Sequence, residues 1–256
     1  MNNMFERSYS LADLLFLTSN TPTYVSFLEA DLTGYDLEDS LIKWAGGIGK
    51  DSGPVMYGPW KAFTLLAKGE RFGVSKTPVP GFHQGCPWKG GLRGNRNIIS
   101  CSGWENDVID LALASLLMWS LSEEVRFHHV GFRHKSEEEC LEAIKETLKT
   151  YGGETIFRPA YDHERWYTKV ESKAAPNGCF WIEHQLWPSK KTQGLHWDLA
   201  TSNPEALIRY ISNKTETEGE YWERGKDNPC ACISFMEDDL EVSIMARPQW
   251  TAVEDW

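Results

Sequence analysis

Apolar and polar residues alternate along several short segments in the second half of the chain. This spacing is typical of half-buried β-strands. It predicts strands at 126–135, 154–161, 178–187 and 194–200, followed by a hairpin of 230–236 and 240–246.

Three segments with helical spacing also carry start signals. The segment 106–124 has Asn106 or Asp107 as its capping residue, and its apolar middle predicts a buried helix. Ser136 and Glu139 form a capping box for a helix that ends before Gly152. Pro204 starts a third helix, because proline is favoured in the first turn.

The first half has weaker patterns. Ser10 is predicted to cap a short helix over 11–19, and a strand follows at 23–32. Segment 38–45 suggests a helical turn and 58–69 a helix, and the glycine-rich stretch 71–104 is predicted to be a loop.

Strands, helices and a hairpin in this order predict an α+β fold with a mixed or antiparallel sheet and helices mainly on one face. The second half resembles a ferredoxin-like fold in element order alone. The expected division is a loop-rich region 1–125 and a compact region 126–256, or else one single domain. No internal repeat is visible in the sequence.

Composition narrows the classes of partner. A net charge of −11 over 256 residues disfavours nucleic acids and anionic membranes, and favours a basic protein partner. Six scattered cysteines indicate reduced thiols. With no signal-peptide pattern and no long apolar run, we expect a cytoplasmic protein.

The loop 81–97 is basic although the chain is acidic. Five glycines and three cations suit an anion such as a phosphorylated ligand, although the spacing matches no known phosphate-binding motif. The predicted anion-binding residues are Trp88, Lys89, Arg93, Arg96, Arg126, His128 and Arg133. The alternative is a surface loop whose cations pair with acids elsewhere.

Two sets of residues have ligand chemistry without a diagnostic motif. His83, Cys86 and Cys101 are residue types that zinc accepts. His184, His196 and Asp198 would share a face if their two strands paired as a hairpin, and that face would suit acid–base chemistry or a metal. The alternative is ordinary packing, so no catalytic residue, metal or cofactor is assigned.

The C-terminal region accounts for most of the net negative charge, with 11 acidic and three basic side chains over 216–256. Segment 213–229 is predicted to be an acidic loop. Its candidate partner-binding residues are Glu218, Glu220, Tyr221, Trp222 and Glu223. The leading hypothesis is a non-enzymatic inhibitor, immunity or counter-defence protein that sequesters a basic partner. The alternative is an enzyme or sensor that holds a nucleotide or another phosphorylated ligand at loop 81–97.

Overall fold

A computed structural model describes most of the chain as two compact units. The described residues are 3–19, 24–29, 41–45, 53–68, 86–94, 97–160, 162–175, 177–223 and 229–248. One unit comprises 1–123 with 213–216, and the other comprises 124–212 with 217–256. The predicted α+β class is confirmed.

The first unit has a four-stranded antiparallel sheet in the order β2-β1-β4-β3. In chain order its elements are α1 (Asn3–Leu17), β1 (Tyr24–Glu29), β2 (Leu41–Ala45), α2 (Gly53–Lys68), β3 (Gly91–Arg93), β4 (Asn97–Ser102) and α3 (Asp107–Trp119). Helices α2 and α3 pack on this sheet, and a cluster around Leu28, Leu65 and Ile98 forms part of the core.

Several local predictions for this unit are wrong. Helix α1 begins before Ser10, which therefore does not cap it. Segment 41–45 is a strand, because its pairing with β1 outweighs the weak helical preference of five residues. Strands β3 and β4 lie inside the predicted loop, whereas residues 71–85 fall outside the described part of the chain.

The second unit is an eight-stranded mixed sheet in the order β10-β11-β12-β9-β5-β8-β7-β6. In chain order its elements are β5 (Val125–His134), α4 (Glu137–Tyr151), β6 (Thr155–Phe157), β7 (Glu164–Glu171), β8 (Cys179–Leu186), β9 (Gln193–Thr201), α5 (Pro204–Thr215), β10 (Gly219–Glu223), β11 (Pro229–Glu237) and β12 (Leu240–Arg247).

The eight strands form two halves with the same βαβββ topology. In one half β5 runs parallel to β8, and β8, β7 and β6 are successively antiparallel. In the other half β9 runs parallel to β12, and β12, β11 and β10 are successively antiparallel. The halves join where β5 pairs antiparallel with β9. The topology thus repeats although no sequence repeat is visible.

Helix α4 packs on β5, β7 and β8, and two histidines lie on this covered face of the sheet. His184 Nδ1 lies 3.0 Å from His134 Nε2, and His184 Nε2 lies 2.8 Å from Thr147 Oγ1 on α4. Burial and the neighbouring His134 lower the pKa of His184 to about 3. These imidazoles are therefore neutral parts of the packing at physiological pH.

Two strands of this sheet were not predicted. Strand β7 has no regular alternation, since Arg165, Trp166 and Tyr167 follow one another. Strand β10 lies in the predicted acidic loop 213–229, because its pairing with β11 offsets the low strand preference of glycine and glutamate. Residues 224–228 of that loop lie outside the described residues.

No disulfide joins any of the six cysteines. Among the described residues, no helix is both long enough and apolar enough to cross a membrane.

A buried ion pair links α2 to α3 in the first unit. Lys61 Nζ lies 2.9 Å from Asp110 Oδ2 and donates to the Cys101 carbonyl, also at 2.9 Å. Lys61 and Asp110 are only 3% and 1% exposed. Burial raises the pKa of Asp110 to about 6, although the Lys61 ammonium opposes this shift.

We expect Lys61→Met to lower the free energy of unfolding at pH 7 by about 3–5 kcal/mol, because a buried carboxylate loses its counterion. Without Lys61 the pKa of Asp110 in the folded state rises above about 6, whereas its ordinary value is 3.8. Between these values the folded variant binds more protons than the unfolded chain. The folded wild-type protein already has Asp110 with a pKa of about 6, so the loss relative to the wild type should grow as the pH rises above about 6. Urea unfolding at pH 4.5 and pH 7 measures it.

The control is the double variant Lys61→Met/Asp110→Asn. It removes both charges, so it should be more stable than the single variant at pH 7 and should lack the added pH dependence. A single variant equally destabilised at both pH values would contradict the expectation.

Candidate metal centre

Three side chains of the second unit bring metal-ligating atoms to one point. Glu183 Oε2 lies 3.2 Å from His129 Nε2 and 3.1 Å from His196 Nε2. The two Nε2 atoms lie 3.3 Å apart. The side chains of His129 and Glu183 are each 2% exposed, and that of His196 is 13% exposed. His129 and Glu183 are therefore buried, and His196 is the most exposed residue of the cluster.

Strand register places these three residues together. Gly131 on β5 pairs with Glu183 on β8 at one side and with His196 on β9 at the other. His129 lies two residues before Gly131 on the same strand, so its side chain projects from the same face. Three adjacent strands thus each contribute one ligand.

Gly131 leaves the space that the His196 imidazole occupies. A Cβ atom at this position would overlap His196 Cε1 and Nε2. Any other residue would therefore displace the ring from the cluster.

A β-bulge in β5 sets the environment of His129. The pairing of β5 with β9 shifts register between Phe127 and His129, which leaves His128 as the additional residue. His128 Nδ1 lies 2.8 Å from His129 Nδ1. Burial, the neighbouring His129 and Arg247 lower the pKa of His128 to about 2, so His128 is neutral. It can accept a hydrogen bond from the His129 Nδ1–H, which leaves the lone pair of His129 Nε2 free to bind a metal.

Glu183 is held by partners at both oxygens. The Tyr167 hydroxyl donates to Oε1 at 2.5 Å, and the two imidazoles approach Oε2. Burial alone would raise the pKa of Glu183, but hydrogen bonds to His129 and His196 and the charges of these rings hold it well below its ordinary value. Glu183 is therefore a carboxylate at neutral pH.

A second acid lies beside the cluster. Asp198 Oδ2 is 3.7 Å from His129 Nε2, and Asp198 is 1% exposed. Arg247 from β12 contacts both carboxylate oxygens, at 3.3 and 3.4 Å. This ion pair neutralises the charge of Asp198 and fixes its distance from the three ligand atoms.

The donor set fits a divalent transition metal. Two atoms bound at about 2.0–2.2 Å in a tetrahedral or octahedral arrangement are roughly 2.8–3.5 Å apart, and the separations in the cluster are 3.1–3.3 Å. Two imidazoles and one carboxylate are ligands that zinc and non-haem iron accept.

Only part of the predicted convergence of His184, His196 and Asp198 is correct. His196 and Asp198 lie near one another at the cluster, but His184 faces α4 on the opposite side of the sheet. The reason is topological: β5 lies between β8 and β9, so the hairpin pairing on which the convergence depended does not form. The neighbouring Glu183 faces the cluster instead.

The predicted anion-binding residues divide between the two units, 81–97 belonging to the first and 126–133 to the second. Arg93 donates to the Leu65 and Leu66 carbonyls in the last turn of α2, whereas Trp88 and Lys89 are exposed. Residues 81–85, 95 and 96, which include His83 and Arg96, lie outside the described residues. The anion site therefore stays a prediction, and the choice between zinc binding and ordinary packing for His83, Cys86 and Cys101 stays open.

In the second unit, two of the predicted cations pair with acids. Arg126 contacts Glu124 at 2.8 Å, and Arg133 contacts Glu241 at 2.7 Å. His128 contacts His129 and thus lies behind the candidate metal ligands.

The predicted partner-binding residues lie on or next to the edge strand β10. Glu218, Glu220 and Tyr221 are exposed, and Trp222 is half-buried. Glu223 ends the strand, and its side chain lies outside the described part of the structure. The Arg209 guanidinium lies 5.4 Å from the centre of the Tyr221 ring.

Sequence reasoning missed His129 and Glu183 as candidate metal ligands. The available signal was a glycine two residues after a histidine in a predicted strand, since such a glycine often marks a close approach of another group. Nothing in the sequence identified Glu183 as the residue opposite Gly131, because that pairing depends on β8 lying next to β5 in the sheet.

We expect Gly131→Ala to lower affinity for a divalent metal by about 10–100-fold, because the added methyl group displaces the His196 ring. Calorimetric titration with Zn²⁺ measures the change, and circular dichroism verifies folding. Gly94→Ala is the matched control, since its Cβ would meet Met118 Sδ at an ordinary 3.4 Å. Unchanged affinity in folded Gly131→Ala would contradict the arrangement.

The sequence matches no family model and no curated protein sequence. Among solved structures, a variant of Streptomyces coelicolor methylmalonyl-CoA epimerase in complex with 2-nitronate-propionyl-CoA is 13% identical with a TM-score of 0.32, over 47% of this chain and 96% of that enzyme. The Mycobacterium tuberculosis methylmalonyl-CoA epimerase is 11% identical with a TM-score of 0.32, over 47% and 87%. Glyoxalase I from Zea mays is 13% identical with a TM-score of 0.19, over 46% and 44%. These likenesses concern the fold alone.

Proposed function

We propose that the second unit is a metal-dependent enzyme domain, in which His129, Glu183 and His196 bind one divalent transition-metal ion. The observation that carries the proposal is the convergence of two Nε2 atoms and one carboxylate oxygen within 3.3 Å of one another. Such a set is the usual protein contribution to a mononuclear catalytic site.

Three protein ligands favour catalysis over a structural role. Structural zinc sites usually have four protein ligands, whereas catalytic sites keep a position for water or substrate. His196 is partly exposed, which gives a small molecule access to the ion. The chemistry that a bound ion supplies is Lewis-acid stabilisation of negative charge on a substrate oxygen.

The surrounding residues suit this role. His128 can fix the tautomer of His129, and Tyr167 orients the Glu183 carboxylate through Oε1. Asp198 is the carboxylate nearest to the ligand set, and its pairing with Arg247 keeps it beside the site. It is therefore the candidate group for moving a substrate proton.

The test is titration of EDTA-treated, dialysed full-length protein with Co²⁺, followed by its visible absorption, and with Zn²⁺ by calorimetry. We expect one ion per chain. Glu183→Gln should reduce affinity more than about 100-fold, since it removes the charged ligand. Tyr167→Phe should reduce it by about 10–100-fold, because the Oε1 hydrogen bond is lost. His163→Ala, which removes a histidine outside the cluster, should leave affinity unchanged.

Azide distinguishes a catalytic site from a closed one. It should change the Co²⁺ spectrum of the wild-type protein, since an exchangeable position accepts a small anion. Failure of the wild-type protein to bind either ion would overturn the metal site. A bound ion whose spectrum ignores azide would overturn the catalytic role and leave a structural one.

The sequestering role inferred from the sequence stays a prediction, as do the cytoplasmic location, the basic partner and the phosphorylated ligand. Exposure of Glu218, Glu220 and Tyr221 at a sheet edge is compatible with partner binding. It identifies no partner, so the metal centre has the stronger support.

A further inference from the structure

We propose that a separate pocket in the first unit binds a small organic cation of the alkylammonium type. The pocket lies between the start of α3, the end of β4, the segment around Trp88 and one side of α2. Its volume is about 330 Å³, near the lower end of small-molecule sites.

Three aromatic rings line this pocket. Trp104 is 5% exposed, whereas Tyr57 and Trp88 are 38% and 52% exposed. The Tyr57 ring stacks on Trp60 with centroids 6.0 Å apart, which limits its orientation. Faces of indole and phenol rings attract cations, and several rings around one space favour a quaternary or alkylated ammonium group.

The charges of the lining favour the same ligand class. Its ionisable side chains are the carboxylates of Glu105, Asp107 and Asp110 and the ammonium of Lys61. Lys61 lies 2.9 Å from Asp110, so these two charges offset each other in the pocket wall. The formal charge of the lining is therefore negative, and an anion such as phosphate is disfavoured.

The start of α3 keeps the acids in place. Asp107 lies in the first turn of the helix, where the helix dipole favours a negative charge. Its Oδ2 accepts a hydrogen bond from the Lys89 backbone N–H at 2.7 Å, which links the helix to the segment that carries Trp88. This hydrogen bond holds the segment with Trp88 against the start of α3, which carries Asp107, so the aromatic and acidic parts of the lining are joined.

The test compares choline with 3,3-dimethyl-1-butanol, a neutral molecule of the same shape. Both are titrated into the full-length protein by calorimetry and tryptophan fluorescence. We expect choline to bind about 5–30-fold more tightly, because only choline gains the cation–π and carboxylate attraction. N-acetyl-trimethyllysine amide tests whether the ammonium group can come from a peptide side chain, and inorganic phosphate should not compete.

Two variants assign the effect to the pocket. Glu105→Gln/Asp107→Asn should lower choline affinity several-fold and leave that of the alcohol unchanged, since asparagine still accepts from the Lys89 N–H. Trp88→Leu should weaken choline selectively, because it keeps apolar surface but removes the ring. Glu123→Gln/Glu124→Gln is the control, with the same change in net charge outside the pocket.

Equal affinity for choline and the alcohol would overturn the proposal, as would no binding of either. Competition by phosphate, or choline binding that ignores the Glu105→Gln/Asp107→Asn change, would overturn it too. Thermal unfolding of each variant verifies that a lost affinity reflects the pocket and not the fold.

Discussion

The antiparallel pairing of β5 with β9 is the constraint on which the second unit depends. It joins the two βαβββ halves into one sheet and pairs Val130 with Trp197 at the join. His129 precedes one of these residues and His196 the other, so both imidazoles emerge on the same face. A slip of one residue would turn one histidine towards the opposite face, because side chains alternate along a strand. Burial of Val130 and Trp197, both 0% exposed, opposes such a slip.

Two local departures from a regular strand then bring the groups within contact distance. The bulge at His128 adds a neutral imidazole behind His129, and the missing side chain at Gly131 admits the His196 ring. Each departure costs stability in an ordinary strand, since a bulge interrupts the ladder and glycine gains no packing. Both departures lie within residues 128–131 of β5, next to His129 and opposite His196 and Glu183.

The sequence predicted the elements that carry the site better than the site itself. Strands β5, β8 and β9 and helix α4 were expected close to their observed bounds, because alternation and capping are local signals. Whether Glu183 or His184 faces the cluster could not be decided from neighbouring residues in the sequence. These neighbours face opposite sides of β8, and the facing side follows from the insertion of β5 between β8 and β9, which no sequence pattern reports. Strand β10 was likewise not predicted, since its acidic residues suggest a loop and its strand conformation depends on pairing with β11.

The two halves repeat in topology but differ in chemistry, and the difference determines what the site can do. Val130 on β5 and Trp197 on β9 are equivalent positions of the two halves, since they pair with each other at the join. The residues that follow them, Gly131 and Asp198, are therefore equivalent as well. Glu183 pairs with Gly131 on β8, and Met245 pairs with Asp198 on β12, so Met245 takes the place that corresponds to Glu183. A thioether is a poor ligand for an ion held by imidazole and carboxylate. Asp198 is engaged by Arg247 and therefore does not supply the missing charge directly. Under the proposed function, His129, Glu183 and His196 would be the three strong ligands, and the side of the cluster that Met245 and Asp198 occupy would supply no further ligand, so a substrate could bind there.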